Sequence, residues 1–88
     1  MNYKIEYLDS VVREDIPQIS PPDRRRIKRA IEERLQTKPL EFGKPLQYSL
    51  KGCRRLRVGD YRVIFVIEEP NLVKIVKIGH RKEVYDRR

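Results

Sequence analysis

CRRLRVGDYRVIFVIEEPNLVKIVKIG, residues 53–79, is the stretch whose reading decides the fold. Gly59-Asp60 and Glu69-Pro70-Asn71 divide it into three strand-like runs at 53–58, 61–68 and 72–79. Glycine and aspartate tolerate the backbone angles of a tight hairpin, so runs joined this briefly are expected to lie antiparallel. Strict alternation then assigns faces. Cys53, Arg55 and Arg57 share one side of the first run, while Arg54 lies with Leu56 and Val58 on the other. The middle run has Tyr61, Val63, Phe65 and Ile67 on one side and Arg62, Ile64 and Val66 on the other. It is apolar on both faces and belongs at the centre of a sheet. In the third run Val73, Ile75 and Lys77 alternate against Leu72, Lys74, Val76 and Ile78.

Upstream, YKIEYL at 3–8 reads as a first strand with Tyr3, Ile5 and Tyr7 on one face. A short helix carrying Val11, Val12 and Ile16 follows, capped by Asp9 or Ser10 and expected to stop before Pro17. The clearest helix starts at Ser20, with Pro21 and Pro22 in its first turn and Asp23 near the positive end of its dipole. Ile27, Ala30, Ile31 and Leu35 form its apolar stripe, and Pro39 closes it. Its arginine-rich flank reads as an ordinary solvated face, with Glu32 set to pair with Lys28 and Glu33 with Arg29. Residues 40–52, LEFGKPLQYSLKG, read as a loop. The order strand, helix, helix, strand, strand, strand predicts an α+β domain spanning 1–88. A mainly antiparallel four-stranded sheet would carry both helices on one face.

Composition narrows the function. The 88 residues include 21 lysines and arginines against 13 acidic residues, a net charge of +8. That balance serves solubility, or it suits a polyanionic partner such as nucleic acid or an acidic protein. One cysteine excludes an internal disulfide framework, and one histidine far from it leaves no metal-site spacing. No secretory signal or bilayer-length apolar run is visible, so a cytoplasmic protein is expected, with no membrane association. Phosphate-cradling and dinucleotide-binding glycine patterns are also missing, and no cofactor is expected.

A guanidinium buried without a partner is expensive. Arg62, at the start of the central strand, is therefore expected either to pair with Asp60 or Glu68 or to project at the sheet rim toward a ligand. The antiparallel return of the last strand brings Gly79, His80 and Arg81 back near Tyr61 and Arg62. Arg55, Arg57, Arg62, His80, Arg81 and Tyr85 are thus expected to form one cluster, with Arg54 and Lys82 as flanking phosphate contacts. Plainer readings stand beside this: Arg55 and Arg57 on a solvated edge strand, His80 at the surface, and Tyr85 pinning the tail to the sheet.

RLRVGDYRVIFVI at 55–67, followed by VKIGHRKEVYDR at 76–87 after one intervening half-strand, resembles the RelE/ParE superfamily of toxins, specifically its RelE-like branch. The resemblance extends over nearly the whole chain. It implies a RelE-like fold and a metal-independent endoribonuclease that cuts messenger RNA in the ribosomal A site. It also implies a cognate antitoxin whose acidic or amphipathic helix covers the basic surface, with strand addition expected at 53–58. By position Arg62 resembles the phosphate-binding arginine of the central strand, and Arg55 and Arg57 the basic residues one strand earlier. Arg81 resembles the basic residue after the last strand, and Tyr85 the C-terminal tyrosine. Gln47 stands where some relatives carry a basic glutamate, and the chain stops three residues after Tyr85, leaving no C-terminal helix.

In that chemistry the 2′-hydroxyl attacks the scissile phosphate, leaving a 2′,3′-cyclic phosphate and a 5′-hydroxyl. Arg62, supported by Arg55 and Arg57, would neutralise the phosphorane, and Arg81 would clamp it. His80 would exchange protons, and Tyr85 would stack on a base or approach the nucleophile. The alternative is a non-enzymatic ParE-like toxin that inhibits gyrase, or an inactive homologue that retains only partner binding, since fold alone does not fix activity.

Overall fold

The computed structural model describes residues 2–46 and 51–84. Five strands form one sheet in the order β1-β5-β4-β3-β2. They are β1 (Lys4–Tyr7), β2 (Lys44–Pro45), β3 (Arg54–Val58), β4 (Tyr61–Glu68) and β5 (Leu72–His80). β3, β4 and β5 make the expected antiparallel meander, and β1 joins β5 in parallel. Gly59 turns the β3–β4 hairpin with φ at 61°, a backbone angle that side-chain-bearing residues rarely adopt.

The four-stranded expectation is corrected by β2. Lys44 and Pro45 pair with Arg55 and Arg54, so the segment read as loop adds a fifth strand. Proline is tolerated there because an edge strand has no second neighbour to donate to. β3 is consequently covered at 54–55, and its open edge is confined to 56–58. The same segment also holds a helical turn, α2 (Pro39–Phe42).

One layer of helices covers one face. A π-helical turn at Val11–Asp15 runs into a 3-10 turn at Ile16–Gln18. This first helix passes through Pro17 instead of stopping before it, because Pro17 sits in the opening turn of the 3-10 segment, where no intrahelical donor is required. Helix α1 (Pro21–Ala30) continues as a π-helical turn to Leu35. Ser20 stands at its N-cap, but its hydroxyl donates to the Asp23 carboxylate at 3.2 Å and caps no amide. Arg24 ties the two helical segments, donating from Nε to the Ile19 carbonyl at 2.7 Å.

The core lies between these helices and the sheet. Ile27, Ile31 and Leu35 meet Val63, Phe65, Val73 and Ile75, all buried. Ile78 joins them, although strict alternation placed it on the opposite side from Val73 and Ile75. Ile64 pairs with Lys77 and Phe65 with Ile75, so Val76 is an extra residue in β5. A bulge of one residue flips every side chain beyond it to the other face. A further helical turn, α3 (Arg81–Val84), then packs on the far face, where Val84 lies over Gly79. Among the described residues no helix is long and apolar enough to cross a membrane.

Candidate nucleic-acid interface

The face opposite the helices is where the basic residues of the meander gather. In the β3–β4 ladder Arg57 stands directly opposite Arg62, and Arg55 opposite Ile64. Cross-strand partners of this kind have Cβ atoms about 4.5–5.5 Å apart, and like charges so placed are destabilising. The sequence therefore sets two guanidiniums against each other at the turn end of the sheet. Arg57 is exposed and Arg55 half-buried, whereas Arg62 is only 6% exposed.

Neither Asp60 nor Glu68 pairs with Arg62. Its Nη1 donates instead to the carbonyls of Gly59 at 3.0 Å and Tyr61 at 2.9 Å. Glu68 is engaged by Lys74 at 3.4 Å, at the other end of the strand. Among the described residues Arg62 has no carboxylate partner. It is a buried cation held in orientation by backbone dipoles, an arrangement that leaves its charge for an anion.

The return of the tail is as expected: Gly79 lies opposite Arg62 and His80 opposite Tyr61. The Arg81 amide donates to the Asp60 carbonyl at 2.8 Å, latching the start of α3 to the β3–β4 turn. Arg81 and Lys82 are both exposed. Gly79 permits this close packing, since a Cβ there would stand 3.1 Å from a Val84 methyl. The same point lies 3.6 Å from Glu83 Oε1, which puts a carboxylate over the residue paired with Arg62. Glu83 was not singled out from the sequence, where it lies among the mixed charges of a basic tail.

Two expected members leave the arginine face. The bulge at Val76 turns His80 to the helix side, edge-on to Tyr61 with ring centroids 5.9 Å apart. Its Nδ1 accepts the Lys82 amide at 3.3 Å, so its proton is carried on Nε2 when neutral. Arg54 lies on the core side of β3 and spends its Nη2 on the carbonyls of Leu40 at 3.2 Å and Gly43 at 2.8 Å. These two bonds fasten α2 to the sheet. Tyr85 and Gln47 lie outside the described residues.

Beyond this face, the titration of Tyr7 is displaced. Burial raises its hydroxyl above the ordinary 10.0, and the neighbouring Glu32 charge raises it further. Among the described residues no cluster of histidine, cysteine and carboxylate side chains is arranged to hold a metal ion. A polar recess lies along the bare edge of β5, lined by Glu14, Asp15, His80 and Glu83.

The sequence profile described as the ParE toxin of type II toxin–antitoxin systems, parDE, matches residues 7–85. Toxin RelG of Mycobacterium tuberculosis is 39% identical over 54 residues, 60% of this chain and 62% of that one. Toxin RelE of the same organism is 38% identical over 52 residues, 58% of this chain and 54% of its own. The aligned stretch thus spans less than two thirds of either relative. In structure the chain is similar to one in the toxin–antitoxin complex RelBE2 of M. tuberculosis, with a TM-score of 0.84 and 27% identity. That match covers 92% of this chain and 100% of that one.

Proposed function

The chain belongs to the ParE-toxin family of type II toxin–antitoxin systems, and we propose that it is an endoribonuclease toxin cutting messenger RNA in the ribosomal A site. The observation that carries this reading is the in-register pair of Arg57 and Arg62, with Arg62 buried and turned to no carboxylate among the described residues. Such a pair costs stability unless an anion sits on it, and a transferring phosphate is the anion that guanidinium forks fit best.

In this mechanism the 2′-hydroxyl attacks the adjacent phosphorus while the bond to the 5′-oxygen breaks. Negative charge collects on the non-bridging oxygens. Arg62, pre-aimed by its two carbonyl contacts, and Arg57 neutralise it, with Arg55 on the same strand face. Arg81 closes on the phosphate from the end of β5. Glu83, over Gly79, is placed to take the 2′-hydroxyl proton, and Tyr85 is the further group for proton transfer or base stacking. His80 is a poor proton donor to this face from the helix side. Few reacting groups are on the protein itself, so the ribosome must align the nucleophile with the phosphate.

The partner is a cognate antitoxin with an acidic or amphipathic helix over the arginine face. The similar M. tuberculosis RelBE2 structure is a toxin–antitoxin complex. Strand addition, if used, has the outer edge of β1 available to it, since β2 occupies β3 over 54–55. Toeprinting of programmed ribosomes with purified protein tests the activity, and cleavage within the A-site codon is the expected result. No cleavage at saturating protein, together with inhibition of gyrase supercoiling, would establish the non-enzymatic reading. The exposure of Glu83, the carboxylate proposed as base, is what favours that second reading.

A further inference from the structure

The arginine flank of α1, expected to be a solvated face, is not neutralised as that expectation required. Lys28 pairs with Glu32 at 3.6 Å, but the anticipated Arg29–Glu33 pair does not form. The side chains of Arg25 and Arg29 make no hydrogen bond or ion pair among the described residues, and neither does that of Arg57. These three residues, with Arg26 and Arg34, line an open groove of about 530 Å³ between α1 and the β3–β4 turn. Glu33 is the acidic residue in its lining, and Asp23 holds Arg26 at 3.3 Å. Arg34 is set over the Phe42 ring at 5.7 Å.

We propose that this groove binds the sugar–phosphate backbone of folded RNA, as a second site separate from the one on the sheet face. Three features select that partner over an acidic protein. Five arginines line it against the single carboxylate of Glu33, the electrostatic footprint of a polyanion site. Of its apolar residues Ala30 and Val58 are each only 8% exposed, which leaves the small ring of exposed Pro22 as the one apolar side chain offered to a partner. The arginines also recur along one helix flank, roughly 6 Å apart for each four residues, so they meet a repeating row of charges better than a single carboxylate. Arg57 is common to both surfaces, because β2 leaves the edge of β3 open beyond Arg55. RNA held in the groove therefore runs directly beside the Arg57–Arg62 pair.

The purpose of the groove rests on the proposed ribosomal function: it would anchor the protein on structured RNA while the sheet face engages the message. The binding itself does not rest on that function. The test is fluorescence-anisotropy titration of the full chain with a mixed-sequence RNA duplex of about two turns, over a range of potassium chloride concentrations. The double variant Arg25→Gln/Arg29→Gln is expected to bind more weakly at every sequence tried. Its slope of log K against log salt should fall by about 2, one for each phosphate no longer neutralised. Arg81→Ala, on the other surface, should change that slope by less. Circular dichroism confirms folding, which exposed glutamines in a helix do not disturb.

An unchanged affinity and slope in the double variant would overturn the proposal, as would loss of binding to polyglutamate with duplex binding intact. Duplex binding through the groove without cleavage of programmed ribosomes would sink the nuclease reading and leave the groove standing. Normal cleavage with an unaltered salt slope would do the reverse.

Discussion

Arg62 was legible in the sequence because a charge inside a strand that is apolar on both faces demands an explanation. The explanation differs from both alternatives the sequence offered. Among the described residues it pairs with no carboxylate, and it does not reach the solvent rim; it is buried and held by the Gly59 and Tyr61 carbonyls. Arg62→Lys keeps the charge and loses the planar fork, so A-site cleavage should fall by about 10²–10³ while the protein stays folded. Single-turnover cleavage rates, with a thermal melt as control, check this. Ile78 was misplaced because alternation was carried across β5 without the bulge at Val76, which no residue type there announces. Tyr7 gives an independent residue-scale expectation. Its folded value is raised, so its contribution to stability is present below pH 10.0 and is lost as pH rises through the higher folded value. Alkaline unfolding curves for Tyr7→Phe should lose less stability above that pH than wild type does, and parallel curves would refute the assignment.

Among the elements, the meander and α1 could be read because periodicity and turn residues agree there. The short α2 and β2 could not, since a two-residue strand has no period and is held by groups distant in sequence. Arg54 supplies them through its bonds to the Leu40 and Gly43 carbonyls. Arg54→Met should therefore cost about 1–3 kcal/mol in urea unfolding, as stranded acceptors would predict, and leave RNA binding nearly unchanged. A large loss of RNA affinity with intact stability would restore Arg54 as a phosphate contact. The first helix has a comparable tether. Asp15, whose side chain is 10% exposed, accepts the Ile78 amide at 2.9 Å and meets Lys77 at 3.3 Å. β1 stops pairing with β5 at Ile75, so Asp15 occupies a bare sheet edge. Asp15→Ala should speed hydrogen exchange at the Ile78 amide and loosen the end of β5 that positions Arg81.

For the molecule as a whole, a net charge of +8 is not spread evenly. The sheet face carries Arg55, Arg57 and Arg62, and the flank of α1 carries a second set that joins it at Arg57. Composition pointed to a polyanion, but only the three-dimensional arrangement separates the surface for chemistry from the surface for anchorage. The central claim is that the sheet-face arginines stabilise a phosphorane formed by the 2′-hydroxyl. Product-end analysis of messenger RNA cut on programmed ribosomes tests it most directly. The account predicts fragments with a 2′,3′-cyclic phosphate and a 5′-hydroxyl from wild-type protein, and loss of both in Arg62→Lys. Fragments with a 5′-phosphate, or undiminished cleavage by folded Arg62→Lys, would contradict it.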